Sequence, residues 1–282
     1  MKVLVTGAAG QLGREVCNRL RELGIQFKGV GRADFDLTEE NATRAAILAY
    51  APDAVIHCAA YTAVDKAETE KEPCFRVNVL GTANVAKACR ELNARMMYIS
   101  TDYVFDGQED APFETDHAKA PINHYGLTKA MGEDEVQSWL EEYFIIRIAW
   151  VFGLVGNNFV ETMLRLGQQR ESVRVVADQV GSPTYAKDLA PLLCSMIQTE
   201  RYGVYHATNE GFCSWFEFAA EIMARASLPC RVEPISTSDY PTAARRPQNS
   251  RLSKRSLDEA GFARLPSWQD ALKRYLLSSA ME

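Results

Sequence analysis

Hydrophobic residues along the first half of the chain follow two alternating patterns. Short runs rich in β-branched residues predict buried strands at 3–5, 27–30, 54–57, 96–100 and 144–148. Between these runs, apolar residues recur at intervals of three and four positions. That spacing predicts helices over 12–23, 38–50, 73–92 and 124–142.

This alternation of strands and helices is typical of βαβ units joined by right-handed crossovers. The predicted fold class is therefore α/β, a Rossmann-like doubly wound parallel sheet, and such sheets bind ligands beyond the carboxyl ends of their strands. After about Trp150 the alternation loosens, with short strands predicted at 173–176, 203–207 and 231–234. Ser214 and Glu217 form a capping-box pattern, which predicts a helix running to about residue 226.

The change in pattern near Trp150 predicts two domains. We assign residues 1–150 to a dinucleotide-binding domain and residues 151–282 mainly to a smaller α/β substrate-binding lobe, of which some segments return to the first domain.

Composition narrows the classes of partner. The formal net charge is −6, without a basic stripe, so we expect no binding to nucleic acid. The seven cysteines are scattered without a Cys-x-x-Cys pair, which argues against a disulfide framework and against zinc. No stretch approaches the roughly 18 apolar residues of a membrane span. Because an apolar strand begins at Val3 without a charged leader, we expect a cytoplasmic protein.

A glycine-rich turn follows the first predicted strand. Gly7, Gly10 and Gly13 have the spacing Gly-x-x-Gly-x-x-Gly between a strand and a helix, which is the context of a dinucleotide fingerprint. The three glycines would permit the turn, the approach of a pyrophosphate and close helix packing. The phosphates would lie on free amides at the helix amino terminus.

The residues after the second predicted strand bear on the choice of cofactor. Arg32 favours NADP(H), because a guanidinium pairs well with the 2′-phosphate. Asp34, two positions later, keeps NAD(H) compatible with the sequence, because a carboxylate accepts hydrogen bonds from ribose hydroxyls.

Tyr125 and Lys129 lie four positions apart on a predicted helix and therefore share a face. A nearby ammonium group lowers the pKa of a phenol by about one to three units, towards the range that suits acid-base catalysis. We expect Tyr125 to donate the proton and Lys129 also to bind the nicotinamide ribose. A hydroxyl at the end of the preceding strand would bind the substrate carbonyl, and Thr101 is favoured over Ser100.

Longer segments carry a more specific resemblance, among them Ser100-Thr-Asp-Tyr-Val-Phe-Asp-Gly107 and the stretches 57–68, 78–82, 125–129, 177–184 and 245–250. On these segments the chain is similar to the extended short-chain dehydrogenase/reductases, and within them it resembles the dTDP-4-dehydrorhamnose reductases over essentially its full length. The resemblance implies an NAD(P)-dependent oxidoreductase of dTDP-rhamnose biosynthesis. It implies reduction of a dTDP-linked keto-sugar, dTDP-4-dehydro-L-rhamnose, to dTDP-L-rhamnose by hydride from NADPH or NADH.

The resemblance also assigns residues. It implies a catalytic set of Thr101, Tyr125 and Lys129. It implies cofactor contacts, besides Tyr125 and Lys129, at Gly7, Gly10, Gln11, Leu12, Asp36, Leu37, Ala59, Ala60 and Tyr61. It implies a substrate pocket of Thr62, Val64, Thr101, Tyr103 and Trp150, although a tryptophan at this place also suits a core position. Arg245 and Arg246 would suit a nucleotide diphosphate.

Several alternatives remain open at this stage. A nucleotide-sugar epimerase or dehydratase uses the same fold with tightly held NAD, and some relatives are non-catalytic NADP-binding regulatory subunits. A metal-bridged dimer is implied for some relatives, but Glu15 is the only suggestive ligand, so we expect no metal in catalysis. We expect a monomer or a homodimer.

Overall fold

The computed structural model describes residues 1–279. Its strands are β1 (Lys2–Thr6), β2 (Gln26–Val30), β3 (Ala54–His57), β4 (Arg95–Thr101), β5 (Tyr143–Ile148), β6 (Val151–Phe152), β7 (Ser172–Val176), β8 (Val180–Gly181), β9 (Thr184–Tyr185), β10 (Gly203–His206), β11 (Cys213–Ser214) and β12 (Arg231–Ile235). Its helices are α1 (Gln11–Glu22), α2 (Glu40–Tyr50), α3 (Val64–Ala67), α4 (Lys71–Phe75), α5 (Gly81–Leu92), α6 (His124–Trp139), α7 (Phe159–Gln169), α8 (Ala186–Met196), α9 (Trp215–Arg225), α10 (Arg255–Glu259) and α11 (Trp268–Ser279).

Six strands form the main sheet in the order β10-β5-β4-β3-β1-β2, and every neighbouring pair is parallel. The chain leaves β1 towards β2 on one side and reaches β3 on the other. A parallel sheet that changes direction in this way opens a crevice at the carboxyl ends of its strands. The predicted Rossmann-like doubly wound sheet is confirmed.

Helices cover both faces of the main sheet. On one face, α1 packs against α8, and the apolar core there includes Val16 and Leu193. On the other face, α2, α5 and α6 bury residues such as Ile47, Val85 and Val136. Both α8 and β10 come from beyond residue 150. The second part of the chain therefore supplies one strand of the main sheet and one of the helices that cover it.

The remaining strands form three two-stranded pairs, β12 with β7, β11 with β8 and β6 with β9. A second apolar core lies beside them, built largely from aromatic side chains including Phe152, Tyr185, Phe218 and Tyr275. The capping box at Ser214 is present, because its side chain accepts a hydrogen bond from the Glu217 amide and the Glu217 carboxylate accepts one from the Ser214 amide.

Two predicted helices differ from the structure. The helix predicted over 73–92 consists of α4, a π-helical turn (Arg76–Leu80) and α5. The helix predicted over 124–142 ends at Trp139, because Leu140 takes an extended conformation. No helix among residues 1–279 combines the length and the apolar character that a membrane crossing would need.

Candidate active site

A cavity of about 710 Å³ lies at the carboxyl ends of the central strands. Residues that follow β1, β2, β3, β4 and β5 all contribute to its wall. The site residues predicted from the sequence that line it are Gly7, Gly10, Gln11, Leu12, Arg32, Asp36, Leu37, Ala59, Ala60, Thr62, Val64, Thr101, Tyr103, Tyr125, Lys129 and Trp150. The structure therefore brings together the predicted cofactor, catalytic and substrate residues, except for Tyr61.

The glycine turn has the close contacts that a dinucleotide loop requires. Gly7 has a φ of +64°, and a Cβ there would lie 2.7 Å from the amide nitrogen of Ala59. A Cβ on Gly13 would lie 2.2 Å from the carbonyl oxygen of Gly7. Gly10 precedes α1 without a side-chain cap, so the first-turn amides of that helix are available to an anion. These features fit a bound pyrophosphate.

The loop after β2 distinguishes the two charged candidates for cofactor choice. The carboxylate of Asp34 accepts a 2.8 Å hydrogen bond from the amide of Gly31, which ties it into the turn. Arg32 is exposed at the cavity wall and forms no salt bridge within residues 1–279. Because Arg32 has no ion-pair partner among these residues and the carboxylate of Asp34 is already hydrogen-bonded, the loop favours a 2′-phosphate over free ribose hydroxyls.

Helix α6 positions Tyr125 and Lys129. The Asn123 side chain caps this helix by accepting a 2.8 Å hydrogen bond from the amide of Gly126. A Cβ on Gly126 would lie 2.2 Å from the carbonyl oxygen of Tyr103, so the helix start is pressed against the turn that follows β4. Lys129 Nζ donates a 2.7 Å hydrogen bond to the carbonyl oxygen of Ile99.

The two hydroxyls at the end of β4 have different partners. Ser100 Oγ donates a 2.5 Å hydrogen bond to Glu133, whose carboxylate also forms a buried ion pair with Arg147. Thr101 Oγ1 instead accepts a hydrogen bond from the amide of Tyr103 and donates one of 3.0 Å to Asp102 Oδ1. Both hydroxyls therefore donate to a buried carboxylate, and the role of Thr101 in binding the substrate carbonyl stays a prediction.

The pKa shifts of Tyr125 and Lys129 differ from the expectation. Burial raises the pKa of Tyr125 above its usual value, and the Asp102 carboxylate raises it further, whereas the Thr101 hydroxyl opposes the rise. Burial also lowers the pKa of Lys129 to about 7, partly offset by Glu133. The expected lowering of the phenol pKa by Lys129 is therefore not found in the protein alone, because both groups are removed from water. The raised value keeps Tyr125 protonated, which is the state that a proton donor needs.

Asp102 is a component of the site that sequence reasoning missed. It lines the cavity and is 2% exposed, and burial raises the pKa of its carboxyl group to about 6. Its Oδ2 atom has no hydrogen-bond partner among the described residues. The acid directly after the strand-end Thr101 was visible in the sequence, but its burial was not.

Trp150 occupies the cavity wall in a strained backbone conformation. Its φ is +50°, a region that costs a residue with a Cβ roughly 1–2 kcal/mol. Its indole stacks on that of Trp215, with ring centroids 3.6 Å apart and planes at 14°. The side chain is thus both part of the cavity wall and packed on a second aromatic ring, and sequence reasoning missed the partner.

Some predicted residues lie elsewhere. Tyr61 does not line the cavity; its hydroxyl donates a 2.5 Å hydrogen bond to Glu70. Arg246 forms a two-point ion pair with Asp65, at 3.1 and 2.7 Å, so its guanidinium is committed within the protein. Arg245 lines a separate, smaller cavity. The structure therefore does not place either arginine in the wall of the main cavity.

Glu15 lies half-buried on α1. Within residues 1–279, no three or more His, Cys, Asp or Glu side chains gather in a way that would hold a metal ion. The absence of a catalytic metal stays a prediction.

The parallel sheet, the glycine turn and the Thr-Tyr-Lys set together define an NAD(P)-dependent oxidoreductase of the short-chain dehydrogenase/reductase class. Comparison with known proteins is more specific. Residues 1–281 match a family model described as the RmlD substrate binding domain. The chain is 39% identical over 98% of its length to the spore coat polysaccharide biosynthesis protein SpsK of Bacillus subtilis, of which it covers 96%. It is 37% identical to the dTDP-4-dehydrorhamnose reductase of Escherichia coli, covering 98% of this chain and 97% of that protein.

A solved structure supports the same family. The dTDP-4-dehydrorhamnose reductase of Bacillus anthracis, determined in complex with NADP, superimposes with a TM-score of 0.96 at 42% identity, covering 98% of this chain and 99% of that one. The chain belongs to the dTDP-4-dehydrorhamnose reductase family. The resemblance inferred from the sequence motifs is thereby confirmed.

Proposed function

We propose that this protein reduces the 4-keto group of dTDP-4-dehydro-L-rhamnose to the alcohol of dTDP-L-rhamnose, with NADPH as the preferred reductant and NADH as a second one. The observation that carries the proposal is the single cavity that joins the glycine turn to Tyr125, Lys129 and Thr101. Membership of the reductase family supports the same substrate class.

The bound dinucleotide would supply a hydride to the carbonyl carbon of the sugar. The protein's part is to place and polarise that carbonyl. Thr101 and Tyr125 would donate hydrogen bonds to the carbonyl oxygen, which becomes more negative as the hydride arrives. The Tyr125 phenol would then donate its proton to that oxygen, which completes the alcohol and leaves a phenolate to be reprotonated.

Each remaining predicted contact has a place in this scheme. We propose that Gly7, Gly10, Gln11 and Leu12 bind the pyrophosphate and that Arg32 binds the 2′-phosphate. Lys129 would hold the nicotinamide ribose. The second set of predicted contacts would complete the pocket, with Asp36, Leu37, Ala59 and Ala60 assigned to the cofactor and Thr62, Val64, Tyr103 and Trp150 to the substrate. Tyr61, which was also predicted to contact the cofactor, is left out because it does not line the cavity.

The test is direct. The purified protein is mixed with NADPH and, separately, with a panel of dTDP-linked keto-sugars, and the loss of reduced nicotinamide is followed optically. The proposal requires consumption with the 4-dehydro-L-rhamnose derivative. A protein that carried tightly bound NAD and consumed no NADPH would instead be an epimerase or dehydratase, and one that bound NADP without turnover would be a regulatory subunit.

We also propose a cytoplasmic location and the division of the chain into residues 1–150 for the cofactor and residues 151–282 mainly for the substrate. Residues 280–282 of the second part lie outside the described residues. The assignment as monomer or homodimer stays a prediction.

A further inference from the structure

Trp215 does not line the large cavity, yet its ring covers that of Trp150, which does. The 3.6 Å separation of the ring centroids leaves no room for another group between the two indoles. Trp215 is held in turn, because it is the first residue of α9 after the Ser214 capping box and because Phe159 packs on it with centroids 4.5 Å apart. Trp215 is therefore a fixed surface and not a freely rotating side chain.

The backbone of Trp150 is fixed independently of its ring. Its carbonyl oxygen accepts a 3.0 Å hydrogen bond from the amide of Thr184, whose hydroxyl donates a 2.6 Å hydrogen bond to the carbonyl oxygen of Ala149. These bonds hold the residue at its positive φ of 50°. A tryptophan keeps a left-handed backbone conformation only where its surroundings impose it.

A second backbone segment meets the same ring. A Cβ on Gly181 would lie 2.8 Å from Cε2 of Trp150, so the β8 backbone lies directly against the indole. Strand β8 pairs with β11, with Ser214 opposite Val180, and β11 leads straight into Trp215. One short strand pair thus carries two of the groups that pack on the Trp150 ring.

We propose that Trp215 is a positioning residue for the keto-sugar, holding the Trp150 indole by stacking so that the rest of its surface meets the sugar ring. The inference rests on the proposed function, because it takes Trp150 as the sugar contact. The flat face of an indole ring binds the apolar face of another ring. Trp150 shares the cavity with Tyr125 and Thr101, so the orientation of its ring bears on where the 4-keto carbon comes to rest.

A kinetic experiment separates positioning from folding. Trp215→Ala is expected to raise the KM for the dTDP-keto-sugar by roughly tenfold, while kcat changes by less than about threefold and the Kd for NADPH stays unchanged. Trp215→Phe keeps a flat ring on the stack and is expected to restore most of the affinity. Trp139→Ala, which removes a tryptophan from the end of α6, is the matched control and should leave KM unchanged.

A spectroscopic experiment tests the stack without substrate. Two stacked indoles couple their electronic transitions, and where the two transition dipoles are skewed this gives a paired band of opposite signs in the circular dichroism spectrum. The band is expected to disappear in Trp215→Phe and in Trp150→Phe and to persist in Trp139→Phe. Its persistence in Trp215→Phe would overturn the proposal.

The two experiments also separate this inference from the proposed function. An unchanged KM in both Trp215 variants, or a loss of NADPH binding that accompanies a raised KM, would reduce Trp215 to a packing residue. If the unsubstituted protein reduced no dTDP-keto-sugar, the proposed function would fail, and the circular dichroism band would still decide whether Trp215 orients Trp150.

Discussion

The ammonium nitrogen of Lys129 lies 2.7 Å from the carbonyl oxygen of Ile99 and 3.9 Å from the centre of the Tyr98 ring. The lysine is thereby held against the end of β4 while its side chain stays almost entirely out of water, at 2% exposure. Glu133, one turn further along α6, is the carboxylate that offsets part of this burial. The position of Lys129 is therefore set before any ligand arrives.

Lys129 makes the stability of the protein depend on pH. Its pKa is about 7 in the folded state against an ordinary value of 10.5, so the unfolded chain binds more protons between these values. Stability consequently rises with pH through this window. Lys129→Met removes the contribution, and the free energy of unfolding of the unsubstituted protein relative to this variant should rise by roughly 2 kcal/mol from pH 7 to pH 9.

Urea unfolding of both proteins at several pH values measures this difference. Lys254, whose pKa is also lowered by burial, to about 8, is present in both and cancels. Lys273→Met, at an exposed position, is the control and should unfold in parallel with the unsubstituted protein. A constant difference between Lys129→Met and the unsubstituted protein across this range would contradict the lowered pKa.

Tyr125→Phe tests the proton donor. Removing the phenolic oxygen should lower kcat by about 10²–10⁴, because positioned general acids contribute on that scale, while the Kd for NADPH changes little. Stopped-flow turnover and fluorescence titration with NADPH give the two quantities. Tyr202→Phe, which loses only a hydrogen bond to Glu142, should retain full activity. A Tyr125→Phe protein with normal turnover would exclude this residue as the acid.

Arg32→Ala tests the choice of cofactor. Loss of a charge-assisted bond to the 2′-phosphate should raise the Kd for NADPH by roughly tenfold or more, whereas the Kd for NADH should change by less than about twofold. The salt dependence of NADPH binding should also weaken. Arg170→Ala, at an exposed position after α7, is the control. Equal losses for both dinucleotides would make Arg32 irrelevant to discrimination.

Gly13→Ala tests the packing of the glycine turn. The added methyl group would lie 2.2 Å from the carbonyl oxygen of Gly7, so the turn or the helix must shift. Overpacking of this kind typically costs about 1–3 kcal/mol, and a thermal unfolding scan should show the lower midpoint together with weakened dinucleotide binding. Gly31→Ala, where a Cβ would meet nothing within 4 Å, should unfold like the unsubstituted protein. Equal midpoints for the two variants would argue against this tight contact.

Strands β1 to β5 of the main sheet could be predicted because each contains a short apolar run and the segments between them carry helical periodicity, whereas β10 was predicted as a strand of the second part of the chain. The interruption of the predicted helix 73–92 could not, because the π-helical turn (Arg76–Leu80) preserves apolar spacing while shifting its phase. The two-residue strands β6, β8, β9 and β11 were also missed. Such short pairs are defined by what lies opposite them and carry no periodicity of their own.

The site could likewise be predicted only in part, because motifs are visible in the sequence whereas burial and long-range contacts are not. Motifs identified Tyr125, Lys129 and the glycine turn, and the cavity contains all of them. Burial was invisible in the sequence, and burial is what raises the pKa of Tyr125 and lowers that of Lys129. The stack of Trp215 on Trp150 depends on residues 65 positions apart and could be seen only in three dimensions.

Strand β10 completes the main sheet from a point more than 50 residues beyond β5, its only neighbour there. A fragment that stopped at residue 150 would expose the whole edge of β5, with the apolar residues Phe144, Ile145 and Ile146 next to unpaired amides and carbonyls. Unpaired strand edges of this kind pair with other chains and lead to aggregation. The cofactor half should therefore precipitate when expressed by itself, and a protease that cuts between the halves should release no durable amino-terminal core.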